Sequence, residues 1–327
     1  MNRIALITGA SGFVGGHLAE ALTRHGWQVR ALVRASSDTA RLQALGVELV
    51  TGDLASPEAV AAGAEGADTV FHLAGATTAP SEDAFRRVNV EGTRTVVSGV
   101  LRAAARPRRL VYASSYAACG PALEGGRPRG AADPPAPLTA YGRTKLAGER
   151  ELQAAEALGV ETVVLRVPAV YGPGDRAFLP VFRLVKLGLA TVPAGPDRSV
   201  HLIYAPDLAE AFVRAADAAP GTYAVAEPVA HRMSALIAAI GAALGKRPLR
   251  VPVPAGLLRF AGSIAERWGH RLGGAGVFSR EKAEEMLALA WVCDLTGSEA
   301  VLPPDAATPL ERGMAETARW YRTQGWI

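Results

Sequence analysis

The chain has 327 residues, 49% of them apolar and 20% charged, with a formal net charge of +4. That length allows one large α/β domain with an attached lobe, or two domains, and so apolar a composition excludes a disordered chain. The cationic excess is arginine spread along the sequence without a basic cluster or interleaved aromatics, which excludes a nucleic-acid-binding footprint.

No basic leader with an apolar core opens the chain, and no apolar run reaches the roughly eighteen residues of a membrane span. A soluble, unprocessed protein is expected. Cys119 and Cys293 form no framework and no C-x-x-C, which points to a reducing, cytoplasmic compartment.

The first predicted strand, 4–8, runs directly into Gly9, Gly12 and Gly15, and an apolar helical period begins at Gly16 and Leu18. A strand, a tight glycine turn and a helix N-terminus leave free N–H groups and a positive dipole end where a pyrophosphate can sit. The spacing is G-x-x-G-x-x-G rather than G-x-G-x-x-G. Further strands are predicted at 28–34, 47–51, 69–73, 109–114 and 161–167, with helical periods at 16–25, 39–45, 57–64, 82–105 and 141–158. Such alternation predicts a doubly wound parallel sheet with right-handed crossovers, whose ligands lie at the carboxyl ends of the strands.

Each motif falls at such an end. The second strand ends in Val33-Arg34, followed by Ser36 and Ser37, with no carboxylate to take a ribose hydroxyl. Arg34 can pair with a 2′-phosphate, so NADP is expected, with NAD as the other option. After the third strand, Asp53 of Gly52-Asp53-Leu54 either accepts from an adenine amino group or caps the helix near Pro57. The fourth ends in His72-Leu73-Ala74-Gly75, small residues across which a cofactor can lie, with His72 a satisfied interior histidine.

The chemistry is concentrated around the fifth strand, which ends Ser114-Ser115-Tyr116-Ala117-Ala118-Cys119-Gly120. Beyond a proline- and glycine-rich loop, Tyr141 and Lys145 stand one helical turn apart on one face. The ammonium is expected to lower the phenol's pKa from about 10 toward the working pH, making Tyr141 a usable acid and base. Ser115 can hold a substrate oxygen in line with it.

Together these motifs resemble the extended short-chain dehydrogenase/reductase family, also called the NAD-dependent epimerase/dehydratase family, over nearly the whole chain. Asn89-Val90-x-Gly92-Thr93 is similar to the family's N-V-x-G-T, and counting back five residues from Gly120 selects Ser115 over Ser114. The resemblance implies a Rossmann fold and a Ser115, Tyr141, Lys145 catalytic set. It also implies cofactor contacts at Gly9, Ser11, Gly12, Phe13, Val14, Gly15, Arg34, Asp53, Leu54, Leu73, Ala74, Gly75, Asn89, Tyr141, Lys145 and Pro168.

The departures narrow the branch. Nucleotide-sugar epimerases of the family carry Asn and Arg as diphosphate donors where this chain has Ala169 and Val200, although Arg198 stands two residues upstream. Lost charge-assisted hydrogen bonds are worth about 1.5–3 kcal/mol each. Dehydratases carry acids directly after the catalytic hydroxyl, where this chain has Tyr116 and Ala117. The chain is more similar to the dihydroflavonol-reductase and 3β-hydroxysteroid-dehydrogenase-like branch.

The expected organisation is a dinucleotide-binding domain over 1–167, with 201–228 returning to it, and a smaller substrate-binding lobe of 168–200 and 229–327. Leu257, Leu258, Phe260, Ile264 and Trp268 repeat at helical spacing in 253–272, as lobe packing, a wall of an apolar pocket or a membrane-surface face. His201, His231 and His270 have no metal spacing, so no metal is expected. The aromatics near Trp291 and Trp320 carry no evident chemistry. The expected function is NAD(P)-dependent hydride exchange with a small-molecule carbonyl or alcohol. The alternatives are a nucleotide-sugar epimerase using the same three residues and a non-catalytic NADP(H) sensor. By family analogy, helices 82–105 and 141–158 pair in a homodimer.

Overall fold

The computed structural model describes residues 3–130, 133–272 and 279–327, with the side chains of 267–272 outside the description. Strands and helices alternate in the order β1 (Ile4–Thr8), α1 (Phe13–Arg24), β2 (Gln28–Val33), α2 (Ala40–Ala44), β3 (Glu48–Thr51), α3 (Pro57–Ala64) and β4 (Thr69–His72). There follow α4 (Glu82–Arg86), α5 (Gly92–Arg102), β5 (Arg109–Ser115), α6 (Ala140–Glu151), α7 (Gln153–Glu156) and β6 (Glu161–Val167). The rest is β7 (Ala169–Tyr171), α8 (Leu179–Lys186), β8 (Leu189–Pro193), β9 (Ser199–Val200), β10 (Leu202–Tyr204), α9 (Ala205–Ala215), β11 (Gly221–Ala224), β12 (His231–Arg232) and α10 (Met233–Leu244). β13 (Leu249–Val253), α11 (Ala255–Leu272), α12 (Arg280–Leu287), β14 (Ala290–Trp291) and α13 (Leu310–Thr323) complete it.

Seven strands form one parallel sheet in the order β11-β6-β5-β4-β1-β2-β3. Its central strands are apolar without alternation because helices cover both faces: Ala5, Leu6 and Ile7 are wholly buried, as are Val70, Phe71, Leu110 and Val111. Leu18, Leu22, Leu208 and Phe212 of α1 and α9 fill one side. Val60, Val96 and Val100 of α3 and α5 fill the other. Strand order reverses at β1, which has β2 on one side and β4 on the other, and a crevice opens at the carboxyl ends there. A separate core around Tyr171, Phe182, Leu236, Ile240, Met314 and Tyr321 holds the smaller layer built on α8, α10 and α13.

Two helices differ from their periodicity. The segment 82–105 breaks into α4, a π-helical turn at Arg87–Glu91 and α5, which ends at Arg102. Asn89 occupies that turn, and its carboxamide pairs with the Ala76 backbone in both directions, at 2.8 and 3.1 Å, so a tertiary contact widens the helix. The segment 141–158 stops at Glu151 and resumes as the short α7. Among the described residues, no helix is long and apolar enough to cross a membrane.

The position of α6 depends on a close approach. A Cβ at Gly148 would fall on the Tyr112 hydroxyl and lie 2.7 Å from the Asn89 carbonyl oxygen. Gly148→Ala should therefore push α6 off β5 and destabilise the fold by about 1–3 kcal/mol. Gly256→Ala, whose Cβ meets nothing within 4 Å, should stay within about 0.5 kcal/mol of the parent in the same thermal and denaturant melts.

Candidate functional site

β1 delivers the chain into the glycine turn. Gly9 has φ +80°, and a Cβ there would lie 2.6 Å from the Ala74 nitrogen; a Cβ on Gly15 would fall on the Gly9 carbonyl oxygen. Only hydrogen fits at either position, and this brings the start of α1 against the tips of β1 and β4. The N-cap of α1 is Gly12, which has no side chain to take up the first N–H groups. They open on a cavity of about 970 Å³, lined by residues 9–16 with Leu73 and Gly75.

The β1 and β4 tips are tied by a buried chain of hydrogen bonds. Ala74 N–H donates to Thr8 Oγ1 at 3.3 Å, Thr8 to His72 Nδ1 at 2.7 Å, His72 Nε2–H to Thr93 Oγ1 at 3.0 Å, and Thr93 to the Asn89 carbonyl at 2.8 Å. Burial and the Lys145 charge push His72 down to about 3, so it is a neutral structural link and not a base. Asn89 lies behind the site: besides Ala76, its Nδ2 donates to Thr144 Oγ1 at 3.1 Å, which sets α6 beside β4.

Ser115 at the end of β5 and Tyr141 and Lys145 in the first turns of α6 come together on the cavity wall. Thr139 caps α6 by accepting from Gly142 N–H at 3.1 Å, and Phe85 packs on the Tyr141 ring with centroids 6.1 Å apart. Lys145 is buried, with Nζ 4.2 Å from the centre of the Tyr112 ring. Among the described residues its ammonium has no hydrogen-bond or carboxylate partner.

The expected fall in the Tyr141 pKa is corrected by this environment. Burial pushes the phenol up, and the Lys145 charge and the Ser115 hydroxyl only partly pull it back. Burial likewise pushes the Lys145 ammonium down, against the opposing pull of Tyr141 and Glu149. Sequence reasoning passed over Glu149. One turn beyond Lys145, it accepts from Ser114 Oγ and from Nε and Nη2 of Arg166, at 3.0 and 2.7 Å, and joins α6 to β5 and β6. An acid at i+4 from the lysine was its only signal.

A second cavity, of about 500 Å³, adjoins the first, and the two share Thr77, Ser115, Tyr141, Val167, Pro168, Val170 and Ala177. Its further lining is largely apolar, from Phe178, Val200, Met233, Met286 and Trp291. α12 forms one side and is fastened to α6: Glu281 accepts from Ala140 N–H at 2.7 Å and from Arg143 at 2.9 Å, while Arg143 also grips Glu82.

Several anticipated residues stand elsewhere. Arg34 is exposed and does not line the cavity; Arg41 of α2 lines it instead, with Asp38 and Leu42. Asp53 is exposed and accepts from Ala55 N–H at 2.8 Å, while Ser56 caps α3, so Asp53 neither caps the helix nor lines the cavity. Leu54 packs into the core beside Gly92. Ala74 and Asn89 act behind the lining. α11 turns Leu257, Phe260 and Ile264 outward, and none of its described side chains lines either cavity; the side chain of Trp268 lies outside the described residues, as does that of His270. Trp320 and Trp326, assigned no chemistry from the sequence, line the larger cavity with Arg176. Cys119 and Cys293 are buried free thiols, and among the described residues no cluster of His, Cys, Asp or Glu could hold a metal.

The residues present suit a nicotinamide dinucleotide: an uncapped helix start over a glycine turn, and a buried ammonium without a protein partner beside it. The profile of the NAD dependent epimerase/dehydratase family matches residues 5–226. A ceramide reductase of Caulobacter vibrioides is 30% identical over 99% of this chain and 96% of its own length. A 2-alkyl-3-oxoalkanoate reductase of Stenotrophomonas maltophilia is 32% identical over 72% of this chain and 76% of its own. The solved structure of MoeE5 in complex with UDP-glucose and NAD superposes with a TM-score of 0.73 at 25% identity, covering 98% of this chain and 99% of that one. The chain belongs to the NAD dependent epimerase/dehydratase family and is an NAD(P)-dependent oxidoreductase of the extended short-chain dehydrogenase/reductase type.

Proposed function

We propose that the protein interconverts a carbonyl and an alcohol on an apolar small molecule with NADP(H), and that Tyr141 carries the proton. The observation that supports this most is the shared wall: Ser115 and Tyr141 belong both to the cavity under the glycine turn and to the apolar cavity beside it. The nicotinamide, when bound, supplies or takes up the hydride. The Tyr141 phenol gives its proton to the substrate oxygen on reduction and takes it back on oxidation. Ser115 donates to the same oxygen and holds it in line with the phenol. Lys145 favours the tyrosinate by charge and holds the cofactor ribose. The apolar lining excludes water from the exchange.

The names of the relatives, a ceramide reductase and a 2-alkyl-3-oxoalkanoate reductase, support a reductase over an epimerase. Ala169 and Val200 line the apolar cavity where nucleotide-sugar enzymes of the family keep diphosphate donors. For the cofactor, Asp38 turns its carboxylate to Ala40 N–H at 3.1 Å, and Arg41 makes only an exposed pair with Glu20. Arg41 is thus free to re-pair with a 2′-phosphate. A homodimer is part of the same reading.

Tyr141→Phe should lower kcat about 10²–10⁴-fold, followed by absorbance of the reduced nicotinamide, while NADPH affinity stays within about twofold; undiminished turnover removes Tyr141 from the mechanism. Lys145→Met leaves burial of the phenol opposed by Ser115 alone, so the Tyr141 pKa rises further. Alcohol oxidation requires the tyrosinate, so the acid limb of its kcat/KM profile should move to higher pH. An unmoved limb would sink the electrostatic role. Arg41→Ala should weaken NADPH about tenfold by fluorescence titration and leave NADH within about twofold, whereas equal losses exclude a 2′-phosphate contact.

A further inference from the structure

The substrate cavity holds a cation that the proposed chemistry does not use. Arg198 is only 6% exposed, yet it lines the apolar cavity. Its Nη1 donates to the carbonyls of Pro193 and Pro196, each at 3.1 Å, which fixes the guanidinium plane. Its Nε is buried with no hydrogen-bond partner, and among the described residues no carboxylate lies within ion-pair distance of the group. A buried guanidinium left this way is costly unless an anion completes it.

His201 lines the same cavity. Its Nδ1 accepts from Cys293 N–H at 2.8 Å, which leaves the ring proton on Nε2, and burial pushes its pKa down to about 4. It is therefore a neutral donor. Among the described residues the other charges on the lining are each paired: Lys282 with Glu285 at 2.7 Å, and Glu281 with Arg143 at 2.9 Å, which Arg143 shares with Glu82. Among the described residues Arg198 is the lining cation without a carboxylate partner, and with the neutral donor His201 on the same lining it matches a monoanion with two acceptor oxygens. A diphosphate would need a second free cation, and Val200 and Ala169 supply none.

We propose that Arg198, with His201 beside it, is a carboxylate-recognition subsite, so that the natural substrate is an oxo- or hydroxy-carboxylic acid with an apolar body. This rests on the reductase reading for the reaction and on Arg198 for the anion. The apolar walls take the hydrocarbon, Ser115 and Tyr141 the oxygen that changes oxidation state, and Arg198 the carboxylate.

Two measurements on the full chain test it. Calorimetry with octanoate and with octanamide, in the presence of the cofactor, reads the anion without turnover. The kcat/KM ratio for 3-oxooctanoate over its methyl ester reads it in the reaction. The parent should bind octanoate at least about tenfold more tightly than octanamide and prefer the acid over the ester. Arg198→Met should cut both ratios about 10- to 100-fold, and Arg198→Lys should fall between. If Arg198→Met does not melt cooperatively, Arg198→Lys alone carries the comparison. Equal binding of octanoate and octanamide by the parent, or equal loss of acid and ester turnover in the variants, overturns the subsite. UDP bound in an Arg198-dependent way, without octanoate binding, overturns it in favour of a diphosphate. Ester turnover without acid preference removes the subsite and leaves the reductase standing. Arg198-dependent octanoate binding with neither compound reduced does the reverse.

Discussion

A lysine ammonium enclosed by protein and left without an anion is the constraint around which this site is arranged. Lys145 is buried between β4, β5 and α6, and desolvating its charge costs several kcal/mol unless something answers it. The Tyr112 ring below gives a partial answer at 4.2 Å, and Glu149 acts from one turn further along. Tyr141 is the other group that favours its charge. Burial makes the phenol reluctant to ionise and the ammonium reluctant to stay charged, so the two groups are coupled and each is stabilised by the other's charge.

That coupling depends on how narrowly the elements are spaced. Glycine at 148 lets α6 approach β5, and Asn89 in its widened turn holds α6, through Thr144, against the loop after β4. Behind them the Ser114, Glu149 and Arg166 network ties the strand that carries Ser115 to the helix that carries Tyr141 and Lys145. Ser115, Tyr141 and Lys145 thus sit on rigid elements whose relative position is set three times over.

The sheet supplies one side of the site and distant chain segments the other. Glu281 from α12 reaches the first N–H of α6, and Trp320 of α13 and Trp326 just beyond it line the cavity under the glycine turn. A carboxylate at a helix N-terminus is favoured by the helix dipole, so the pairing both closes one side of the second cavity and supports α6. None of these contacts has a local signature. Glu281 reads as one charge of an amphipathic helix, and α11, with the stronger apolar stripe, turns outward while α12 forms the wall.

The amino-acid sequence alone determined the alternating strands and helices, the parallel sheet, the glycine turn and the pairing of Tyr141 with Lys145, because each follows from periodicity or short spacing within one element. The resemblance to the family also singled out Ser115, by its distance from Gly120. Tertiary structure decided the rest. It put Arg41 rather than Arg34 on the cavity, left Asp53 out of it, opened a π turn around Asn89 and reversed the net shift on Tyr141. These outcomes depend on burial and on contacts between residues far apart in the chain. Desolvation is a property of everything packed around a group, and no spacing along the chain records it.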